Sequence, residues 1–333
     1  LLTETQLARI GGLAGLEQRI VSQIDVLNED YNAGNADYTD IPEVFKPLYG
    51  NARIRFGLAR RHYATGAAFA GYQLKVLAPG TDSAYEIYSG SVGSKYFCSD
   101  AKYDSHKGLA AWPVDRYLNI WVLRITENGR EGVIGITTPP SFTVSGQVLA
   151  QYKDEVGVVL SYGALGRRTG VFDYFFQPEL DQGRTLTHEI GHFFELDHIW
   201  GINPGCTTDD GIADTPPQED ANYFCPSYPK QNCTNSAGGE MFMNYMDYVN
   251  DGCMHLFTHG QVARMRQELV PGGRSYSLTV NPDLVRWPAG ISAAEQHPEL
   301  IIAPNPAAGY TMIYTTEATM PREVSLWNMM GQR

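Results

Sequence analysis

The apolar positions of this chain divide it into a helical opening, a strand-rich middle and a long stretch with no regular period. Leu16, Ile20, Ile24 and Leu27 recur at helical spacing, and Thr3 with Gln6 has the form of a capping box, so residues 3–30 are predicted to be helical. Gly11, Gly12 and Gly15 weaken the first half, which reads as a loop or a separate short helix. The apolar stripe itself reads as core packing. Residues 32–42 are polar and turn-like. Residues 53–58 then alternate as a half-buried strand does. Residues 117–125 are mostly β-branched, aromatic or leucine and predict a central strand. Further strands are expected over 133–137, stopped by Pro139 and Pro140, and over 156–160. Residues 70–115, rich in Gly, Ser and Tyr, define no clear element.

Helical signals return at Gly183-Arg184-Thr185, with Thr185 the expected N-cap. After His198 they are sparse until about residue 258, and Pro204, Pro216, Pro217, Pro226 and Pro229 punctuate an irregular region. A loop of this length inside a compact domain is functional or tied down. Thr258 and Gln261 again form a capping-box pattern, opening a helix that Pro271-Gly272-Gly273 ends. Beyond it, residues 277–280, 300–303, 310–314 and 324–327 are short strand candidates separated by Pro and Gly. The expected organisation is therefore one α+β domain over residues 1–274 and a partial β-sandwich over 275–333.

The helix opened near residue 183 carries the chemistry. His188 and His192, four residues apart, project from one helix face with Glu189 close beside them. His198 follows six residues later, where a continuous helix would point it elsewhere. The chain must therefore turn sharply near Glu195. Three neutral imidazoles bind zinc at about 2.0–2.1 Å and leave a fourth position for water. Zinc lowers the pKa of that water toward ~7, and a neighbouring carboxylate takes its proton. A hydrolytic zinc site is predicted, with His188, His192 and His198 as ligands and Glu189 as general base and acid. His62, His106, His255, His259 and His297 show no such clustering and read as surface or core residues.

Composition narrows the setting. A hydrophobic content of 43% over 333 residues supports a real core, and no run approaches the ~20 apolar residues of a membrane span. A net charge of −12 argues against a nucleic-acid surface. Acidity is concentrated in residues 203–251, where Lys230 is the lone base, and this favours a hard cation such as calcium. Cys206, Cys225, Cys233 and Cys253 lie at long spacings with no CxxC, which favours paired disulfides over a second zinc site. Disulfides imply an oxidising compartment and hence secretion. Cys98 is left without a role. No signal peptide is visible and Leu1 is not an initiator, which reads as a processed or trimmed start.

The run from His188 to His198, HEIGHFFELDH, resembles the zinc signature HExxHxxGxxH of the metzincin metallopeptidases. Its surroundings are similar to the pappalysin family, particularly its bacterial cytophagalysin branch. The matching pieces, spread over most of residues 20–270, are 23–30, 117–122, 183–185, His198-Ile199-Trp200-Gly201, Asp214-Thr215-Pro216 and Asn244-Tyr245-Met246-Asp247-Tyr248. The resemblance implies a metzincin-like zinc peptidase with a twisted mixed sheet, a backing helix, an active-site helix and an irregular C-terminal subdomain. It implies that Met246 forms an apolar floor under the zinc, and that Tyr248 stands where some metzincins keep a tyrosine that swings toward the metal. It implies disulfides Cys206–Cys233 and Cys225–Cys253, and calcium held around Asp210, Asp214 and Thr215.

Three departures accompany the resemblance. Glu195 occupies a position where the family has Gly or Asn. Residues 1–15 show no counterpart of the family's first core strand. Arginine-preferring members carry an acid just before the last cysteine, where this chain has Gly252, with Asp251 one step earlier. The tail, through Ala303-Pro304-Asn305-Pro306 and residues 326–332, resembles the sorting domain of the type IX secretion machinery. The expectation is a secreted zinc endopeptidase acting on proteins or peptides, with extended substrate along the strand at 133–137. The rival expectation is a calcium-stabilised binding or adhesion protein whose zinc site is crippled at Glu195.

Overall fold

In a computed structural model of the chain, Thr3 caps the first helix as its sequence requires. Its Oγ1 accepts from the Gln6 amide at 3.1 Å, while Gln6 Oε1 accepts from the Thr3 amide at 3.0 Å. Helix α1 (Glu4–Arg9) stops before Gly11 and Gly12, which take φ of 87° and 68°, and α2 (Gly12–Asp30) follows. The glycines thus separate two helices. The described residues are 1–60, 64–65, 71–77, 84–86, 99–127, 130–140, 143–144, 147–148, 154–168, 174–234, 236, 238–281, 284–286, 301–303 and 312–314. Cys98, His62, His297 and the strand candidate at 324–327 lie outside them.

Four strands form a mixed sheet: β1 (Ala84–Glu86), β2 (Ile120–Thr126), β3 (Gly135–Thr138) and β4 (Gly157–Ser161). Their order is β1-β2-β4-β3; the first two pairings are parallel and β3 runs antiparallel to β4. The last three overlap the expected strands, with ends within three residues of those expected. Val158, Val159 and Leu160 of β4 are fully buried, as a strand covered on both faces must be. On one face Trp121, Leu123, Ile125 and Val159 pack with Leu1, Leu77 and Tyr85. On the other, Val158 and Leu160 pack with Leu16 and Leu27 of α2 and with Leu186 and Ile190 of α3 (Arg184–Phe193). The zinc-motif helix therefore lies between the sheet and the irregular region. The fold is α+β.

Residues 53–58 are not a strand; only Leu58–Ala59 pairs, with Val285–Arg286. Asparagines in α2 and just beyond its end take the place of a neighbouring strand. Asn28 Nδ2 donates to Phe56 O and its Oδ1 accepts from Phe56 N, both at 2.9 Å, while Asn32 Nδ2 donates to Ile54 O at 2.8 Å. The half-buried backbone is satisfied by amide side chains, so the alternation was real but the ladder was not.

The irregular region is held as expected by Cys206–Cys233 and Cys225–Cys253, with Cα separations of 5.4 and 5.8 Å. Buried carboxylates add to this. Asp247 Oδ1 accepts from the Asn222 and Tyr248 amides, and Asp247 Oδ2 from Gln218 Nε2 and Asn222 Nδ2. Helix α4 (His259–Gln267) begins with the expected capping box of Thr258 and Gln261. The strand expected over 277–280 is instead a 3-10 turn over Tyr276–Thr279. The chain divides into compact units Leu1–Pro288 and Ala289–Arg333, a boundary beyond the expected one at 274. The reason is local: Leu278 packs against the main core and Val285–Arg286 pairs back to Leu58–Ala59. In the second unit, Ile301–Ala303 pairs antiparallel with Met312–Tyr314.

Candidate active site

Helix α3 starts two residues earlier than an N-cap at Thr185 would require. Its N-cap is Gly183, in the left-handed region at φ 76°, and Thr185 lies inside the first turn. A distant carboxylate does the capping. Asp251 Oδ2 accepts from the Arg184 amide at 3.2 Å and from Gln182 N at 2.8 Å, at the positive end of the helix. Burial pushes the Asp251 carboxyl up to about 6. One turn on, Thr187 Oγ1 donates to Asp30 Oδ2 of α2 at 2.6 Å, and Tyr245 Oη donates to Asp30 Oδ1 at 2.9 Å. Arg184 Nη1 lies 2.7 Å from Asp37 Oδ2, which also meets His255 Nδ1 at 3.0 Å. A buried polar network, absent from any single stretch of sequence, thus fixes the helix that carries the histidines.

The far end of α3 makes the turn that His198 requires. Leu196 N donates to Gly191 O at 3.0 Å and Glu195 N to His192 O at 2.9 Å, the two bonds of a Schellman motif. The residue after the C-cap must then be left-handed, and Glu195 is, at φ 67°. The strain expected of a side chain there is present, yet the turn forms. Glu195 carboxylate oxygens lie 3.9 Å from Arg264 Nη2 and 3.8 Å from Arg274 Nη1. The adhesion-protein reading rested on Glu195 breaking the site, and with His198 delivered it has no support.

His188, His192 and His198 converge. His192 Nε2 lies 3.1 Å from His188 Nε2 and 3.0 Å from His198 Nε2. His188 Nδ1 is 2.7 Å from Tyr245 O, and His192 Nδ1 is 2.7 Å from Leu196 O. A carbonyl only accepts, so each Nδ1 carries the proton and each Nε2 of this pair presents a lone pair to the centre. Burial, then His192, holds His188 down to about 3; burial also lowers His192 and His198. All three are neutral at physiological pH. Lone pairs facing one another at this range call for a cation between them, and tetrahedral bonds of about 2.0–2.1 Å would space ligand atoms by roughly 3.3 Å. The donor set fits a zinc-type ion. Among the described residues, this is the one cluster of three or more such ligands.

The surroundings complete the centre. Met246 is fully buried beneath α3, where a Cβ on Gly191 would collide with its Sδ. Met246 O accepts from Ile199 N at 3.3 Å, so the turn that holds His188 through Tyr245 O also holds the segment following His198. Tyr248 is 42% exposed, its ring 5.5 Å from that of His188 and 4.8 Å from that of His198. Trp200 stacks on His198 at 4.5 Å. Glu189 is buried against β3: Thr137 Oγ1 lies 2.6 Å from its Oε2 and 2.8 Å from its main-chain O. Burial pushes the Glu189 carboxyl up to about 7, although the Thr137 hydrogen bond works against this.

Sequence reasoning missed the roles of Thr137, Tyr245 and Asp251. Alternation in β3 could have flagged Thr137; nothing local marks a carbonyl such as Tyr245 O. The residues expected around calcium are only partly brought together. Asp210 Oδ1 accepts from Thr215 Oγ1 at 2.6 Å. Asp214 instead serves α4, accepting from Thr258 Oγ1 at 2.7 Å and Gly260 N at 2.8 Å.

Comparisons with known proteins agree with this geometry. A family model described as pregnancy-associated plasma protein-A, peptidase M43, matches residues 166–270. An extracellular metalloprotease of Arthroderma otae is 44% identical over 87 residues, 26% of this chain and 32% of that protein. One of Verticillium alfalfae is 48% identical over 84 residues, 25% of this chain and 30% of that protein. The chain spans about a third of the length of the curated relatives it matches. Mature mirolysin of Tannerella forsythia, solved with a cleaved peptide, is 36% identical, with TM-score 0.67 over 83% of this chain and 94% of that one. Mirolysin with a bound compound gives TM-score 0.69 at 36% identity, over 84% of this chain and 95% of that one. With its histidine triad, its disulfides and a fold shared across nearly the whole of mirolysin, the chain belongs to the pappalysin family of metallopeptidases.

Proposed function

We propose that this protein is a secreted zinc endopeptidase. The observation that carries the reading is the convergence of three imidazole Nε2 atoms beside a buried carboxylate whose ordinary range is raised toward neutrality. His188, His192 and His198 would hold the ion. Zinc, when bound, acidifies water and polarises the scissile carbonyl. Glu189 takes the proton of the attacking water and passes it to the leaving amine, a role suited to a group with a pKa near 7. Tyr248, kept protonated above the ordinary phenol range by partial desolvation of its ring and then by Glu189, donates to the oxyanion. Extended substrate pairs along β3, whose side away from β4 is unpaired among the described residues.

Secretion is supported by the two disulfides and by relatives named as extracellular; no helix among the described residues is long and apolar enough to cross a membrane. Export by the type IX machinery rests on the tail's resemblance alone. Structural calcium is proposed near Asp210, whose Oδ2 is buried with no hydrogen-bond partner, and Thr215. The test is metal analysis and casein cleavage on one preparation, with and without chelator. The expected result is one zinc per chain and cleavage lost on chelation. E189A retains zinc and loses turnover. A zinc-free protein, or full activity in E189A, overturns the reading.

A further inference from the structure

Residues Gly135 and Thr137 stand two apart on β3 and so face the same side of the sheet, toward α3. The next residue looks the other way: Thr138 Oγ1 accepts from Lys102 Nζ at 2.9 Å. Both α3-facing positions meet Glu189. The Thr137 hydroxyl sits between the Glu189 carboxylate, at 2.6 Å, and the Glu189 carbonyl, at 2.8 Å. At Gly135 there is no side chain, and a Cβ built there would lie 2.5 Å from Glu189 Oε1, 2.6 Å from Cγ and 2.8 Å from Cδ. One residue provides a hydrogen bond; the other provides the space.

We propose that Thr137 and Gly135 are positioning residues that together set the direction of the Glu189 carboxylate, so that β3 aims the general base as well as forming the sheet edge. This rests on the reading of Glu189 as general base. A glutamate side chain has three rotatable bonds, and an unrestrained one would spread its carboxylate over several rotamers. Here the notch at Gly135 admits the Cγ–Cδ end close to the strand, and the hydroxyl at Thr137 fixes Oε2. That leaves Oε1, on the Gly135 side, as the second oxygen. A hydroxyl suits this place better than an amide or ammonium. It has one proton and two lone pairs, so it can donate to the carboxylate, or turn its proton to the Glu189 carbonyl and accept. Glycine at 135 is required by the close approach of a side chain, because its φ is not in the left-handed region.

The experiment compares T137V, T137S and G135A with wild type and E189A, reading kcat and KM for a peptide substrate, zinc content and thermal unfolding of the metal-free chain. T137V removes a hydrogen bond to a charged group and should lower kcat about 10- to 100-fold, with KM changed less than about threefold and zinc unchanged. T137S keeps the hydroxyl and should remain within about threefold of wild type. G135A should lower kcat like T137V, since it displaces the carboxylate by other means. In the metal-free chain, Tm losses from T137V and E189A should be non-additive, the double variant falling less than the sum. If wild type cleaves and E189A does not, but T137V and G135A keep full kcat or their Tm effects simply add to that of E189A, the inference fails while the endopeptidase reading stands. If T137S falls as far as T137V, the hydroxyl is not what matters and the inference fails. A wild type that binds zinc and cleaves nothing overturns both.

Discussion

The backbone at Glu195 offers a direct measurement of what the family signature's missing glycine costs. The residue sits at φ 67° in a position that the two Schellman hydrogen bonds impose. A residue with a Cβ pays roughly 1–2 kcal/mol in that region, whereas glycine does not. Glycine gives part of this back, about 0.4–1 kcal/mol, because it has more freedom in the unfolded chain. The side chain contributes little. Its partners Arg264 and Arg274 stand at 3.8–3.9 Å and are partly exposed, a geometry worth about 0–1 kcal/mol. Its Oε1 is also buried without a hydrogen-bond partner, which offsets some of that gain. E195A keeps the strain and loses the charge contacts, so it should fall within about 1 kcal/mol of wild type. E195G removes the strain and should be more stable than E195A by about 0.5–1 kcal/mol, a rise in Tm of roughly 1–4 °C for a unit of this size. Thermal unfolding of the three proteins, zinc-saturated and then chelated, reads this order. It should be the same in both states because the strain is in the backbone. If E195G unfolds at or below E195A, the turn is not strained and the argument fails. A drop above about 2 kcal/mol in E195A would mean that the arginine contacts hold the turn.

Three other outcomes follow from particular contacts. G191A pushes a methyl group into buried Met246 Sδ and should cost about 1–3 kcal/mol, visible as a lower Tm with reduced zinc retention during dialysis. Asp251 is buried with its pKa raised to about 6, above its ordinary 3.8, so between these values the folded state holds a proton that the unfolded state has released. Its contribution is therefore present below about 3.8 and lost as pH rises through about 6. D251N should gain stability relative to wild type as pH is raised from 4 to 7 in urea titrations, and a flat difference would contradict this. Opening either disulfide, as in C206S/C233S or C225S/C253S, frees a loop of 27 or 28 residues and should cost about 3.5 kcal/mol by calorimetry.

What could be read from the sequence was what is local. The spacing of His188 and His192 is a property of one helix, and the capping boxes at Thr3 and Thr258 are properties of four residues each, so all are complete within their own segments. Three of the four strands of the central sheet were legible, β4 because burial on both faces leaves few residue types that fit, whereas β1 lies in a stretch whose composition marks no element. Residues 53–58 misled for a physical reason: alternation records which face is buried, not what satisfies the backbone, and here Asn28 and Asn32 satisfy it. The same limit explains the cap of α3. Thr185 has the right chemistry in the right neighbourhood, but Asp251, far along the chain, reaches the helix end first.

The site shows this division most clearly. The groups that would touch metal or substrate are side chains, and the sequence names them. Two of the groups that aim them are main-chain carbonyls, Tyr245 O for His188 and Leu196 O for His192, and a carbonyl is carried by every residue. Their positions depend on two turns: the one at Glu195, which the chain makes despite its side chain, and the one at Met246, which is braced by Asp247 and Asn222. Substitutions at Tyr245 or Leu196 would therefore leave the aiming atom in place, whereas changes to the turn geometry would move it. For this fold, sensitivity of the metal centre should track backbone conformation at residues 191–196 and 244–247 more closely than side-chain identity there, Met246 excepted because its sulfur fills the space beneath Gly191.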